Sequence, residues 1–142
     1  MRYLFWYQKW KYRFFKMDYK IRLIRYLYYF SLTGLLIIYL FPGSLFGYFL
    51  YGDLRLQPFG GTAINHFIAF FYLFTIGFIS YLGNAKFTKV VIFLFVLSII
   101  LELSHFLIPN RSFQLLDLMG NLFGCVASYI IILFYKKWRK DG

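Results

Sequence analysis

The chain has 142 residues, of which 61% are hydrophobic and 26% aromatic, and only 15% are charged. An ordinary soluble domain carries about a quarter charged residues, so this composition excludes a normal water-facing surface and turns the apolar surplus toward lipid. A net charge of +11 would suggest nucleic acid in a soluble chain. Here the cations gather at the two chain ends, where they act as topology signals, and no nucleic-acid partner is expected.

Residues 1–22 form a basic and aromatic segment. Lys9, Arg13, Lys16 and Lys20 keep helical spacing, with Trp6, Trp10, Phe14 and Phe15 nearby. This pattern suits an amphipathic helix at the membrane surface, with cations on anionic head groups and rings at the interface; a solvated flank that only sets orientation is compatible with it. No small-residue cleavage site follows the first apolar block, so a cleavable signal peptide is not expected. The apolar residues fall into four blocks of about 20, the length that crosses a bilayer as helix. The first covers residues 23–41 and stops at Pro42 and Gly43. Residues 42–61 are interrupted by Gly47, Gly52, Asp53, Arg55, Gln57 and Pro58, too broken to span, and read as an interfacial or partly re-entrant loop. The second span is residues 62–82, followed by a short turn with Lys86 and Lys89. The third is 90–108, ended by Pro109, and the fourth is 113–135, closing on a basic tail over 136–142. The fold class is thus all-α: a polytopic four-helix membrane bundle over 23–135, with no separate soluble domain.

Eight Lys and Arg lie within residues 1–25, two lie between the second and third spans, and four follow the last, against Arg55 and Arg111 on the other side. This bias predicts both termini in the cytoplasm. A multi-pass protein of the cytoplasmic membrane is expected. The single Cys125 lies inside the last block, excludes an intramolecular disulfide and reads as a small packing residue.

Ionisable groups inside a bilayer cost at least ~2.5–3.5 kcal/mol each at mid-helix, so each needs a partner and a reason. The spans hold four: His66, Glu102, His105 and Asp117. The predicted topology puts all of them in the outer leaflet, with Arg111 in the connection above, placed to pair with Glu102 or Asp117. Ser98, Glu102 and His105 share one face of the third span. Gln114, Asp117, Asn121, Gly124 and Ser128 share one face of the fourth. Two polar stripes joined by a short hairpin should face each other. Gly120, Gly124 and Ser128, each four apart, would let a neighbouring helix approach closely. A hydrogen-bond network that only fixes packing is one reading. The other is an outward-facing polar pocket that binds through His66, Glu102, His105, Arg111, Asp117 and Asn121, and it is preferred because packing rarely needs two carboxylates, two imidazoles and a guanidinium together. Within it, His66 and Glu102 are the candidates for acid–base chemistry. The side chains include acceptable metal ligands, but the motif is not diagnostic, and neither metal nor cofactor is assigned.

His66 followed by Phe67 and Phe70, and then Glu102, Pro109, Arg111, Ser112, Phe113, Asp117, Asn121 and Gly124, stand in the order of motifs that the VanZ-like membrane protein family carries. The second half of the chain, about residues 62–128, resembles that family. Thr62 and Ala63 stand where the family usually has Asp and Lys, His105 replaces a Gln, and Ser128 replaces a frequent Gly. The resemblance implies an envelope-associated membrane protein that lowers the binding or access of lipoglycopeptide antibiotics of the teicoplanin type. The alternative is a membrane enzyme acting on a lipid-linked envelope precursor, with Glu102 and His66 as acid–base pair and Arg111 holding phosphate. A small transporter fits less well, because the inner halves of the spans are almost purely apolar.

Overall fold

The computed structural model describes residues 2–56 and 63–141, with side chains over 19–56 and 63–138. All regular structure among these residues is helical: α1 (Arg2–Leu40), α2 (Leu45–Tyr51), α3 (Ala63–Ser80), α4 (Phe87–Ser104) and α5 (Leu115–Asp141). Four stretches are long and apolar enough to cross a membrane: Tyr19–Leu40, Ala63–Ser80, Phe87–Ser104 and Leu115–Trp138. The four-span bundle therefore holds, with two shifts. The third span starts at Phe87 and stops at Ser104 rather than at residue 108, because the backbone tightens there: the N–H groups of His105, Phe106 and Leu107 donate to the carbonyls three residues back. The basic N-terminal segment, read as an amphipathic surface helix or a solvated flank, is helical and continuous with the first span in one 39-residue helix. The side chains of Trp6, Lys9, Trp10, Arg13, Phe14, Phe15 and Lys16 lie outside the described residues, as do Gln57, Pro58, Gly61 and Thr62.

The helices run up and down in sequence order. At one end Arg25 Nη2 of α1 donates to the Ser80 carbonyl at the close of α3 (3.3 Å). The Lys136 ammonium of α5 lies 3.6 Å from the Phe87 ring centre at the start of α4. The opposite end gathers the close of α1, the start of α3, the close of α4 and the start of α5. Between them the core is aromatic. Phe70, Phe74 and Phe78 follow one face of α3 at four-residue steps, are fully buried, and pack as tilted rings with centres 5.8 Å apart. Tyr28, Leu94, Leu101, Cys125 and Ile132 close around them. Outward positions such as Phe30, Ile92 and Phe134 are exposed and apolar, as lipid contact requires.

Part of the broken loop is ordered by its own chemistry. The Ser44 hydroxyl accepts from Gly47 N (2.9 Å) and caps α2, while Gly52 ends that helix in the left-handed region at φ 68°. Four of its exposed residues, Phe46, Tyr48, Phe49 and Tyr51, are aromatic, which suits the interfacial reading of this stretch.

Candidate functional site

The expected polar residues converge where α1 and α4 end and α3 and α5 begin. His66 comes from the first turn of α3. Its Nδ1 lies 3.1 Å from Asn121 Oδ1 and 3.7 Å from Glu102 Oε2, and its Nε2 lies 3.5 Å from Asp117 Oδ2. One imidazole thus stands between two carboxylates. His105, at the close of α4, turns its Nδ1 to Glu102 Oε1 at 3.3 Å, the i,i+3 contact that helical phase predicted. Asn121 Nδ2 donates to Glu102 Oε2 (3.5 Å), so the stripes of α4 and α5 do face each other.

Glu102 is fully buried, and the bonds it accepts explain how a carboxylate is tolerated there. Besides His105 and Asn121, the backbone N–H of Gln114 donates to its Oε1 (3.3 Å). This N–H precedes the first turn of α5, so a side chain from the neighbouring helix serves one of the donors that a helix start leaves open. Asp117 lies in that same first turn, where negative charge complements the helix dipole. The most accessible member of the cluster is His66, whose side chain retains 16% exposure against 4% for His105.

Small residues bring α3 and α5 close enough for these contacts. A methyl group at Gly120 would strike the Ala63 carbonyl. At Gly124 it would fall 2.7 Å from the Phe67 carbonyl oxygen and 2.8 Å from Phe71 N. One step further along, the Ser128 hydroxyl meets Thr75 Oγ1 at 3.0 Å. Gly120, Gly124 and Ser128 therefore line a tight helix crossing, as small residues do in membranes.

Arg111 corrects an expectation. Its guanidinium bends inward, but it makes no ion pair within 4 Å of Glu102 or Asp117. Nη2 donates to the Ile38 carbonyl at 2.8 Å, and Nε reaches the Phe41 carbonyl at 3.5 Å. The reason is Pro42: the carbonyl of Ile38 would accept from residue 42 in a continuing helix, and proline has no N–H to give. Arg111 supplies the missing donor and binds the hairpin of α4 and α5 to the close of α1. Burial lowers the pKa of the guanidinium, with the nearby Glu102 carboxylate pulling the other way; it remains a cation at any physiological pH. The turn that aims it is set by Asn110 in the left-handed region (φ 58°) and by stacking of Phe106 on Phe113 at 4.7 Å.

Tyr39 is the member that the sequence did not reveal. It lies in the last turn of α1, is buried, and places its hydroxyl 2.7 Å from His66 Nδ1 and 3.1 Å from Asn121 Oδ1. Its ring stands edge-on to His66 and stacks on His105 at 5.4 Å. One tyrosine among 14 carries no local signal of this role. Two buried atoms of the cluster, His105 Nε2 and Asp117 Oδ1, have no hydrogen-bond partner among the described residues.

Among the described residues no group of three or more His, Cys, Asp and Glu side chains is arranged to hold a metal ion. His66 gives one ring nitrogen to each carboxylate, so the two carboxylates lie on different sides of the ring. Comparison of the chain with known protein families, characterised proteins and solved structures brings no match.

Proposed function

We propose that the chain is a VanZ-like multi-pass protein of the cytoplasmic membrane, with both termini inside, whose cluster is an acid–base site at the outer membrane–water interface. It works on the polar head of a lipid-linked envelope precursor. The observation that carries this reading is His66: a partly accessible imidazole flanked at 3.5 and 3.7 Å by two carboxylates, inside a bundle where each ionisable group is costly. Such a pairing of an imidazole with carboxylates is the equipment of general acid–base chemistry. Glu102, with its three hydrogen-bonded neighbours, is the fixed charge against which His66 gains or loses a proton. Arg111, engaged with α1 carbonyls, is a structural clamp in this reading rather than a phosphate ligand.

The second reading, reduced binding or access of teicoplanin-type lipoglycopeptides, uses the same outward placement without chemistry. Full burial of Glu102 and Asn121 favours it, because neither side chain presents surface to a ligand in this state of the bundle.

One experiment separates the two. Purified protein in bilayers is incubated with lipid-linked precursor and the lipid is followed by chromatography, for the wild type and for His66→Gln. The enzyme reading expects a changed lipid that His66→Gln abolishes. An unchanged lipid, together with antibiotic protection that His66→Gln leaves intact in cells, sinks it and leaves the protective reading.

A further inference from the structure

The hydrogen-bond polarity around His66 identifies which of its nitrogens acts. Glu102 Oε2 only accepts, so the Asn121 amide must turn Nδ2 toward it, which leaves Asn121 Oδ1 facing Tyr39 and His66. Tyr39 has one hydroxyl proton, and Asn121 Oδ1 accepts it at 3.1 Å. The phenol oxygen then presents a lone pair to Nδ1 at 2.7 Å. The oxygens near Nδ1, from Tyr39, Asn121 and Glu102, are now all acceptors, and only a hydrogen on Nδ1 satisfies them. On the far side of the ring Nε2 meets Asp117 Oδ2 at 3.5 Å. With Nδ1 protonated, a neutral ring would set the Nε2 lone pair against an ionised carboxylate. One further proton settles that contact, carried by either group.

We infer that Tyr39 is a positioning residue that holds a proton on His66 Nδ1, so that His66 Nε2 and Asp117 form the edge at which the site exchanges a proton with its ligand. This rests on the acid–base reading above and names the atoms that perform it. The proton leaves Nε2 for the ligand, and a neutral imidazole and a carboxylate remain. Asp117 Oδ1, buried and without a hydrogen-bond partner among the described residues, points to what else this edge takes: a hydrogen-bond donor on the ligand. Tyr39 closes the other side, edge-on to His66 and stacked on His105. The charged and titratable groups around the ring are Tyr39 from α1, Glu102 and His105 from α4, Asp117 from α5, and Arg111 from the turn.

The chain has two histidines, so imidazole 15N spectra of the full-length protein in lipid nanodiscs contain two ring systems, and His105→Gln assigns them. At a pH where His66 is neutral, the expected spectrum shows a protonated Nδ1 and a bare Nε2. Tyr39→Phe keeps the ring and its stacking, and should shift His66 to a mixture of tautomers or to Nε2–H. Asn121→Leu frees the Tyr39 proton to turn toward Nδ1, and should move the hydrogen to Nε2; it serves if Tyr39→Phe does not fold. A wild-type Nε2–H tautomer overturns the inference, and so does a wild-type spectrum in whichever of these variants folds. A protonated Nδ1 in a protein that leaves the precursor unchanged would sink the enzymatic reading alone.

Discussion

Arg111 shows how a single side chain can finish a helix that belongs to another part of the chain. Pro42 leaves the Ile38 carbonyl open, and the guanidinium fills it from 73 residues away. A hydrogen bond from a charged donor is worth about 1.5–3 kcal/mol, so Arg111→Ala should destabilise the folded protein by that order. Arg111→Lys should recover part of it, since one ammonium cannot reproduce the planar fork that reaches two carbonyls. Thermal unfolding in mild detergent measures both. Melting of Arg111→Ala at the wild-type temperature would show that the close of α1 does not depend on this contact. The choice between carbonyl and carboxylate partners was not legible in the sequence. The charge of Arg111 and its short loop predicted an inward turn, and both are properties of the residue. Its true acceptors are backbone atoms of α1, which carry no mark in the sequence except the proline that follows them.

At the scale of elements, the crossing of α3 and α5 positions the site. The spacing of Gly120, Gly124 and Ser128 marked α5 as a close-packing helix, and the polar stripes of α4 and α5 were equally plain, because both features repeat with the helical period. That spacing does not say which neighbour comes close; the neighbour is α3. Gly124→Ala would set a methyl group against backbone atoms of α3 that cannot turn aside, at a cost of about 1–3 kcal/mol. It should also weaken the contact of His66 with Asn121, four residues before Phe70 and three before Gly124. Gly34 on α1 is the control: a methyl group there meets nothing within 4 Å, and Gly34→Ala should stabilise the helix by about 0.5–1 kcal/mol. Equal melting of the two variants would contradict the tight crossing. The role of α1 was the least legible, because Tyr39 lies in a span full of aromatic residues and its partners come from three other elements.

For the whole molecule, the decisive quantity is orientation. The four-helix order brings Arg25, Lys86, Lys89, Lys136 and Lys137 to the end opposite His66, where the chain's remaining cations also lead in sequence. Among the described cationic side chains, only Arg55 and Arg111 stand on the side of the cluster, and Arg111 is held by backbone carbonyls. Translocating basic segments is unfavourable, so the cation-rich end should stay in the cytoplasm and the cluster should face outward. Cys125 is 2% exposed, so the native thiol should stay silent toward a membrane-impermeant maleimide. Single cysteines can then report each end. Pro109→Cys, in the exposed turn beside Arg111, should label on intact cells. Ala85→Cys, in the exposed turn between α3 and α4, should label only after permeabilisation. The reverse pattern would put His66, Glu102 and Asp117 on the cytoplasmic side, where no outward-facing envelope precursor or antibiotic could reach them, and the function proposed for the cluster would fall with the orientation.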